Sequence, residues 1–506
     1  MNGEKTVKPL PSLEKPTLDS YLDKVTLNEQ ATNHVLRPWA GIGLGMLFLV
    51  LSMILAAAYV SEEPGFLIIV AAAAVAAYMA MNIGANDVTN NVGAAVGSKA
   101  ITMAMALVIA AIFEIAGAVF AGGRVVSTIE AGIVDAAQMP TGLSFVWVMM
   151  AALVSAAVWI NIATWSGAPI STTHSIVGSI LGSGVAAAGM DAIHWTSLAG
   201  ITASWMVSPI LGGGIAAILL AFIKTFIIYR EDKIRAAVFW TPFLISAMTG
   251  SFAAYFAVIA LEKVVTVSLT NGILIGLAVA AVTILVTRPW VARQARGLEN
   301  RNQSLRKLFR MPLILSAALL SFAHGANDVS NAVGPLSAIV ANVNGLAIVK
   351  TTYVPLWVML IGAFGISCGL LLFGPKLIRV VGEEITKLNP MRAYCVALAT
   401  AITVLIATSL GLPVSTTHTA VGAVFGIGFF REWYTRNSTR RLEYVRKKTG
   451  QMDFERRVQH SPEESHRRRL VRRSHFMTIV GAWVITVPIS ALLSAALYFI
   501  FTALFI

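Results

Sequence analysis

Charge is what this chain has least of. Only 12% of its 506 residues are Asp, Glu, Lys or Arg, about half the share of an average soluble domain. With 57% hydrophobic residues and a mean hydropathy of +0.74, a water-soluble globule is excluded, because one aqueous core cannot bury that much apolar surface. Cysteine is nearly absent. Cys368 and Cys395 both lie in apolar stretches, so no disulfide framework is indicated. The first 36 residues lack a basic segment followed by a short apolar core and a cleavage site. No cleaved signal peptide is read there, and the first apolar run is expected to direct insertion. No Lys or Arg lies deep in an apolar run, so a site within the membrane must work without a fixed cation.

Apolar length is what the chain has instead. Its runs repeatedly reach the ~20 residues a membrane helix needs. Crossings are expected near 38–60, 65–96, 100–121, 143–163, 168–189, 195–223, 238–260, 266–287, from Met311, 353–373, 391–411, 413–430 and 476–506. The expected fold class is an all-α polytopic membrane protein of 12–13 transmembrane segments. Two of the later pairs, 143–189 and 391–430, could equally be re-entrant helical hairpins.

The net charge of +13 raises nucleic acid as a partner, but its distribution points to a membrane. With the N-terminal tail in the cytoplasm, the basic loops 224–237, 288–310, 374–392 and 431–475 all fall inside. Of 38 Lys and Arg, only Arg124, Lys263 and Lys350 fall outside, as the positive-inside rule requires. The segment 431–475 reads as a solvated loop near anionic headgroups.

One stretch occurs twice: GANDVTNNVG from Gly84 and GANDVSNAVG from Gly325, eight of ten letters alike. Downstream of each comes PISTTHSIVG from Pro169 and PVSTTHTAVG from Pro413. By parity of the crossings, the first copy lies in a repeat that enters from outside and the second in one that enters from inside. The expected division is a tail 1–37, an additional span 38–64, a first repeat 65–223, linking spans and a basic loop 224–310, and an inverted repeat 311–506. Inverted repeats with a central site of broken or re-entrant helices are the plan of an alternating-access carrier.

The duplicated residues can bind ions of both signs. Asn86, Asp87 and Asn90, with Asn327, Asp328 and Asn331, offer carboxylate and carboxamide oxygens to a cation such as sodium. A glycine-containing helix unwound there would add backbone carbonyls; the plainer reading is close helix packing through small residues. Ser171, Thr172 and Thr173, with Ser415, Thr416 and Thr417, follow a proline that suits a first helical turn. Free N–H groups, the positive dipole end and hydroxyls there favour an anion; the plainer reading is helix capping. His174, His418 and Glu114 are candidates for a proton relay, although a lone membrane histidine is more often a satisfied hydrogen-bond partner. His324 precedes only the second motif, with Ile83 opposite, and symmetry gives it no support. An anion meeting two carboxylates and no fixed cation needs co-bound cations or protons. Symport follows from that.

The paired GANDV and STTH motifs resemble those of the inorganic phosphate transporter (PiT) family, over roughly residues 65–506. The resemblance implies symport of inorganic phosphate with sodium or protons, a site where the repeats meet, a homodimer and a plasma-membrane location (the inner membrane in a bacterium). It implies site roles for Asn86, Asp87, Asn90, Ser171, Thr172, Thr173 and their second-half counterparts. The span 38–60 and the insertion 431–475 depart from a twelve-span plan without touching the motifs. Some relatives carry sulfate or metal-complexed phosphate, so a symporter of either is the alternative. An anion channel would want a continuous polar pore. A membrane hydrolase would need more than Ser171 and His174 three residues apart, and no enzyme is expected. No resident cofactor is expected, only co-transported Na+ or H+. Two carboxylates beside hydroxyl donors favour an anion that keeps a proton, which makes arsenate a competitor and sulfate a poor one.

Overall fold

The computed structural model describes residues 39–167, 170–262, 265–343, 354–384, 388–439, 441, 443, 446 and 473–505. The tail 1–37, Pro169, Lys263, Lys350 and most of the insertion 431–475 lie outside the described residues. The chain divides into two compact units, Met1–Leu47 and Phe48–Ile506. The described part of the smaller is the opening of helix α1, Trp39–Val60.

The rest of the described chain is helical, as a bilayer demands of any segment that must satisfy its own backbone. In order follow α2 (Phe66–Val88), α3 (Ala94–Gly97), α4 (Met103–Ala121), α5 (Gly123–Ala131), α6 (Gly142–Ser166), α7 (Thr172–Ala188), α8 (Trp195–Ile223) and α9 (Lys233–Tyr255). Then come α10 (Leu269–Ala295), α11 (Asn302–Leu308), α12 (Arg310–Asp328), α13 (Ser330–Asn342), α14 (Leu356–Glu384), α15 (Pro390–Ser409), α16 (Thr416–Asn437) and α17 (Arg473–Phe505). Helix starts are set by side chains that accept from the amide three residues on, as Thr141 does from Ser144 and Asn389 from Arg392.

Each apolar run expected from the sequence is found as a helix, but not each is a full span. Among the described residues, ten helices are long and apolar enough to cross, or eleven if the bent pair Asn302–Leu308 and Arg310–Asn342 is one span. The STTH helices α7 and α16 are not among them. α7 has 17 residues and runs antiparallel to α6, with Ser179 Oγ donating to Ser155 Oγ and Ser183 Oγ donating to Val148 O. Antiparallel packing of this kind is common to a re-entrant hairpin and to two successive crossings; by length and composition α7 and α16 fall short of a span, against the expected count of 12–13.

The two motif-bearing stretches are interleaved. α2 packs against α14, and α12 packs against α4. Glycine makes both approaches possible. A Cβ on Gly84 would lie 1.9 Å from Ile366 O, and one on Gly325 would lie 2.1 Å from Glu114 O. The hairpins are gripped alike: Gly178 and Gly182 of α7 face the α17 backbone, and Gly422 and Gly426 of α16 face that of α8.

Neither motif helix is unwound as the sequence led us to expect. The first widens into a π-helical turn, Thr89–Gly93, and the second is interrupted only at Val329, with α-helical φ and ψ. The 48° bend lies far from the motif, between Leu308 and Arg310. Backbone bonds therefore continue through both motifs, and side chains rather than bared carbonyls supply the polar surface.

Candidate functional site

Asp87 and Asp328 lie at the C-terminal ends of α2 and α12, and both are 0% exposed. The STTH helices bring hydroxyls to them in matched fashion. Thr172 Oγ1 donates to Asp87 Oδ2 at 3.1 Å, and Thr416 Oγ1 donates to Asp328 Oδ2 at 2.9 Å. Other bonds cross between halves. Thr417 Oγ1 donates to Asp87 Oδ1 at 3.0 Å, and Asn90 Nδ2 donates to Thr417 Oγ1 at 2.8 Å. The counterpart of the latter runs from Asn331 Nδ2 to Thr173 Oγ1 at 3.3 Å.

The hairpin turns are held by the first carboxamide of each motif. Asn327 accepts from Val414 N at 3.1 Å and donates to Thr408 Oγ1 and Leu412 O. Asn86, oriented to satisfy both ends of its amide, donates to Asp87 Oδ1 and Ile170 O at 3.2 Å and accepts from Thr164 at 2.9 Å. Thr164 precedes its STTH motif as Thr408 precedes the other. Outside the turn of the second hairpin, Arg124 donates to Ser409 O and Thr128 to Gly411 O.

Not every expected residue faces the carboxylates. Ser171 Oγ accepts from His174 N at 3.1 Å and Ser415 Oγ from His418 N at 3.2 Å, so both oxygens serve as helix caps. His174 lies tilted against His418, with ring centroids 4.3 Å apart, and meets Trp205 edge to face at 3.8 Å.

One contributor, His324, breaks the symmetry of the two motifs. His324 Nε2 stands 3.1 Å from Asp328 Oδ2 and 3.6 Å from Asp87 Oδ2, bent away from hydrogen-bonding geometry, and so lies between the two aspartates. Its Nδ1 is 3.0 Å from Glu114 Oε1, which also accepts from Asn91 at 2.6 Å. On the other side, Ile83 and Ile366 occupy the matched positions: Ile366 meets Gly84 as Glu114 meets Gly325. Two unmatched polar residues thus find each other. The legible sign was the i, i+4 spacing of His324 and Asp328, which puts them on one helix face.

Asp87, His324 and Asp328 each present a ligand atom within 4.8 Å of the others. Around them Asp328 Oδ1, Asn331 Oδ1, Asn91 Oδ1 and Glu114 Oε2 are buried and receive no hydrogen bond among the described residues. Unmatched acceptors without matching donors are the surface a hard cation coordinates. The Thr hydroxyls beside them are donors that can turn to an oxyanion.

Comparison with known proteins agrees with this chemistry. The profile described as the phosphate transporter family matches residues 83–494. A protein assigned as a phosphate permease in Helicobacter pylori is 42% identical, over 93% of this chain and 96% of its own length. The chloroplastic inorganic phosphate transporter 2-1 of Arabidopsis thaliana is 34% identical over 84% of this chain and 70% of its own. Among solved structures, one titled the sodium-dependent phosphate transporter is similar at a TM-score of 0.73 and 34% identity, covering 87% of this chain and all of that one.

Proposed function

The chain belongs to the phosphate transporter family and is a secondary transporter of inorganic phosphate, and we propose that it couples phosphate to sodium at one occluded site shared by two inverted repeats. The observation that carries this reading is the matched pair of hydroxyl-to-carboxylate bonds, Thr172 to Asp87 and Thr416 to Asp328. Those bonds make a coupling device. While the carboxylates are bare, they hold the hydroxyls that an anion would need. A cation bound to Asp87 and Asp328 takes over the carboxylate lone pairs, and the threonines turn to phosphate. Cation therefore binds before anion, and neither is carried well alone.

The charge balance supports the same order. No Lys or Arg side chain is bonded to either aspartate among the described residues. A phosphate without co-bound cations would meet two carboxylates in a low dielectric. Complete burial of Asp87 and Asp328 supports an occluded state, from which movement of the α6–α7 or α15–α16 hairpin would open one side. The charge asymmetry of the loops supports a cytoplasmic N-terminus.

Proteoliposomes containing the purified protein test the proposal. Labelled phosphate should accumulate under an inward sodium gradient and not under a pH gradient alone. Accumulation driven equally well by protons without sodium would replace sodium with H+. Uptake that required a divalent metal would favour the metal–phosphate complex.

A further inference from the structure

The turns of the two hairpins match in sequence but not in surroundings. Gly167 and Gly411 each stand two residues before the proline of an STTH stretch and take left-handed φ of 76° and 69°. A Cβ on Gly167 would meet no heavy atom within 4 Å among the described residues, and Trp165 nearby is 83% exposed. The second turn is held. Arg124 Nη1 donates to Ser409 O at 2.9 Å, and Thr128 Oγ1 donates to Gly411 O at 2.7 Å. A Cβ on Gly411 would lie 3.4 Å from Arg124 O, so α5 packs directly against this turn. The other branch of the Arg124 guanidinium pairs with Glu262, in the loop after α9.

Capping alone would account for a cation at the C-terminus of α15. The setting of Arg124 asks for more. It is one of only three cations that the loop charges assign to the outer face. It joins three separate stretches: the start of α5, the α15–α16 turn and the α9–α10 loop. The turn that it holds runs on to Thr416, whose hydroxyl bonds the fully buried Asp328. At the offset that sets Ile366 opposite Glu114, Lys376 falls opposite Arg124 and Val380 opposite Thr128. The sequence thus keeps a cation at this position in both halves, but a hydroxyl in only one. Arg124 and Glu262 are both partly exposed, and an ion pair of that kind is weak, as a contact broken in every cycle must be.

We propose that Arg124 and Thr128 latch the outer gate, holding the α15–α16 turn closed over the site and releasing it for sodium and phosphate to enter. The proposal rests on the alternating-access reading above and names the contacts that keep one side shut. Both residues position the hairpin and touch no substrate. Losing either bond favours the outward-open form, which binds from outside but closes less often.

A cysteine at Val414, buried just past the turn, reports the gate. The full-length protein is placed in right-side-out vesicles without sodium, and an impermeant thiol reagent is added outside. Each rate is taken against the same protein without the added cysteine. Val414→Cys alone should label slowly. Adding Arg124→Ala should speed labelling about tenfold, the factor that loss of one charge-assisted hydrogen bond gives, and adding Thr128→Val severalfold. Arg124→Lys, which keeps a donor for Ser409 O, should restore slow labelling in part. Phosphate uptake by Arg124→Ala should lose maximal rate while the apparent KM stays level or falls. Labelling does not depend on which cation is coupled, so uptake driven by protons would replace sodium and leave the latch standing. Unchanged labelling in Arg124→Ala and Thr128→Val, even with a lower melting temperature, would reduce both residues to caps and overturn the proposal. Acceleration only from the cytoplasmic side would overturn it too.

Discussion

Thr417 Oγ1 donates to Asp87 Oδ1 at 3.0 Å, across 330 positions of sequence. The first GANDV motif is therefore completed by the second STTH motif, while Thr172 bonds the same carboxylate from within its own half. Each hairpin tip senses the state of an aspartate, and Asp87 senses both tips.

Asp87→Asn and Asp328→Asn should each abolish sodium-coupled phosphate uptake at unchanged membrane abundance. An amide keeps one oxygen that can accept a threonine hydroxyl but cannot neutralise a cation. Normal uptake by either variant would make that aspartate a structural residue and break the shared-site reading.

The threonines and serines of STTH should separate by phenotype. Thr172→Val and Thr416→Val remove a hydroxyl aimed at the site and should weaken phosphate binding by about 1–3 kcal/mol. Ser171→Ala and Ser415→Ala remove caps, and should lower thermal stability by about 1 kcal/mol with affinity largely kept. Apparent affinity and melting temperature, measured on the same preparations, distinguish the two. A serine variant with the affinity loss and no stability loss would return that hydroxyl to the binding set.

His324 and Glu114 should behave as one unit. Glu114→Ile and His324→Ile each leave a buried partner uncompensated, so each should impair uptake. The double variant Glu114→Ile/His324→Ile copies the Ile366 and Ile83 arrangement opposite, and should be no less stable than the worse single variant. Strictly additive losses in a double-mutant cycle would mean that the pair is not coupled.

Anion choice follows from protons. At neutral pH phosphate and arsenate keep a proton, and a carboxylate oxygen that the bound cation leaves free can accept it in a hydrogen bond, whereas sulfate presents only lone pairs. A buried mismatch of that kind discriminates strongly. Excess arsenate should block phosphate uptake and excess sulfate should barely alter it. Equal inhibition by both would assign the aspartates to cations alone.

Orientation can be read chemically. A cysteine at exposed Glu62, between α1 and α2, should react with an impermeant thiol reagent from outside. One at exposed Arg296, after α10, should react only from the cytoplasm. The opposite pattern would remove the charge argument for inverted repeats.

Much of this protein is legible in its residues because the bilayer makes local rules strict. Apolar run length alone located the helices, since a segment in lipid has no alternative to satisfying its own backbone. Duplicated Asn, Asp, Ser and Thr in apolar surroundings marked residues that the fold brings together, since polar groups there are costly to keep.

What depended on tertiary structure was which letters meet. Residue counting could not show which side chains of α6 and α7 meet, because both helices are apolar and the Ser183–Val148 contact depends on how they pack. Nor could it divide STTH into a capping serine and two inward threonines, which depends on where α7 and α16 begin. The motif glycines looked like places to unwind; they are places where another backbone passes, so the helices stay intact. Reasoning from symmetry set His324 aside and left Glu114 without a partner. Interleaving of the two halves packs α4 against α12 and brings that imidazole to that carboxylate, a contact across 210 positions that no local pattern encodes.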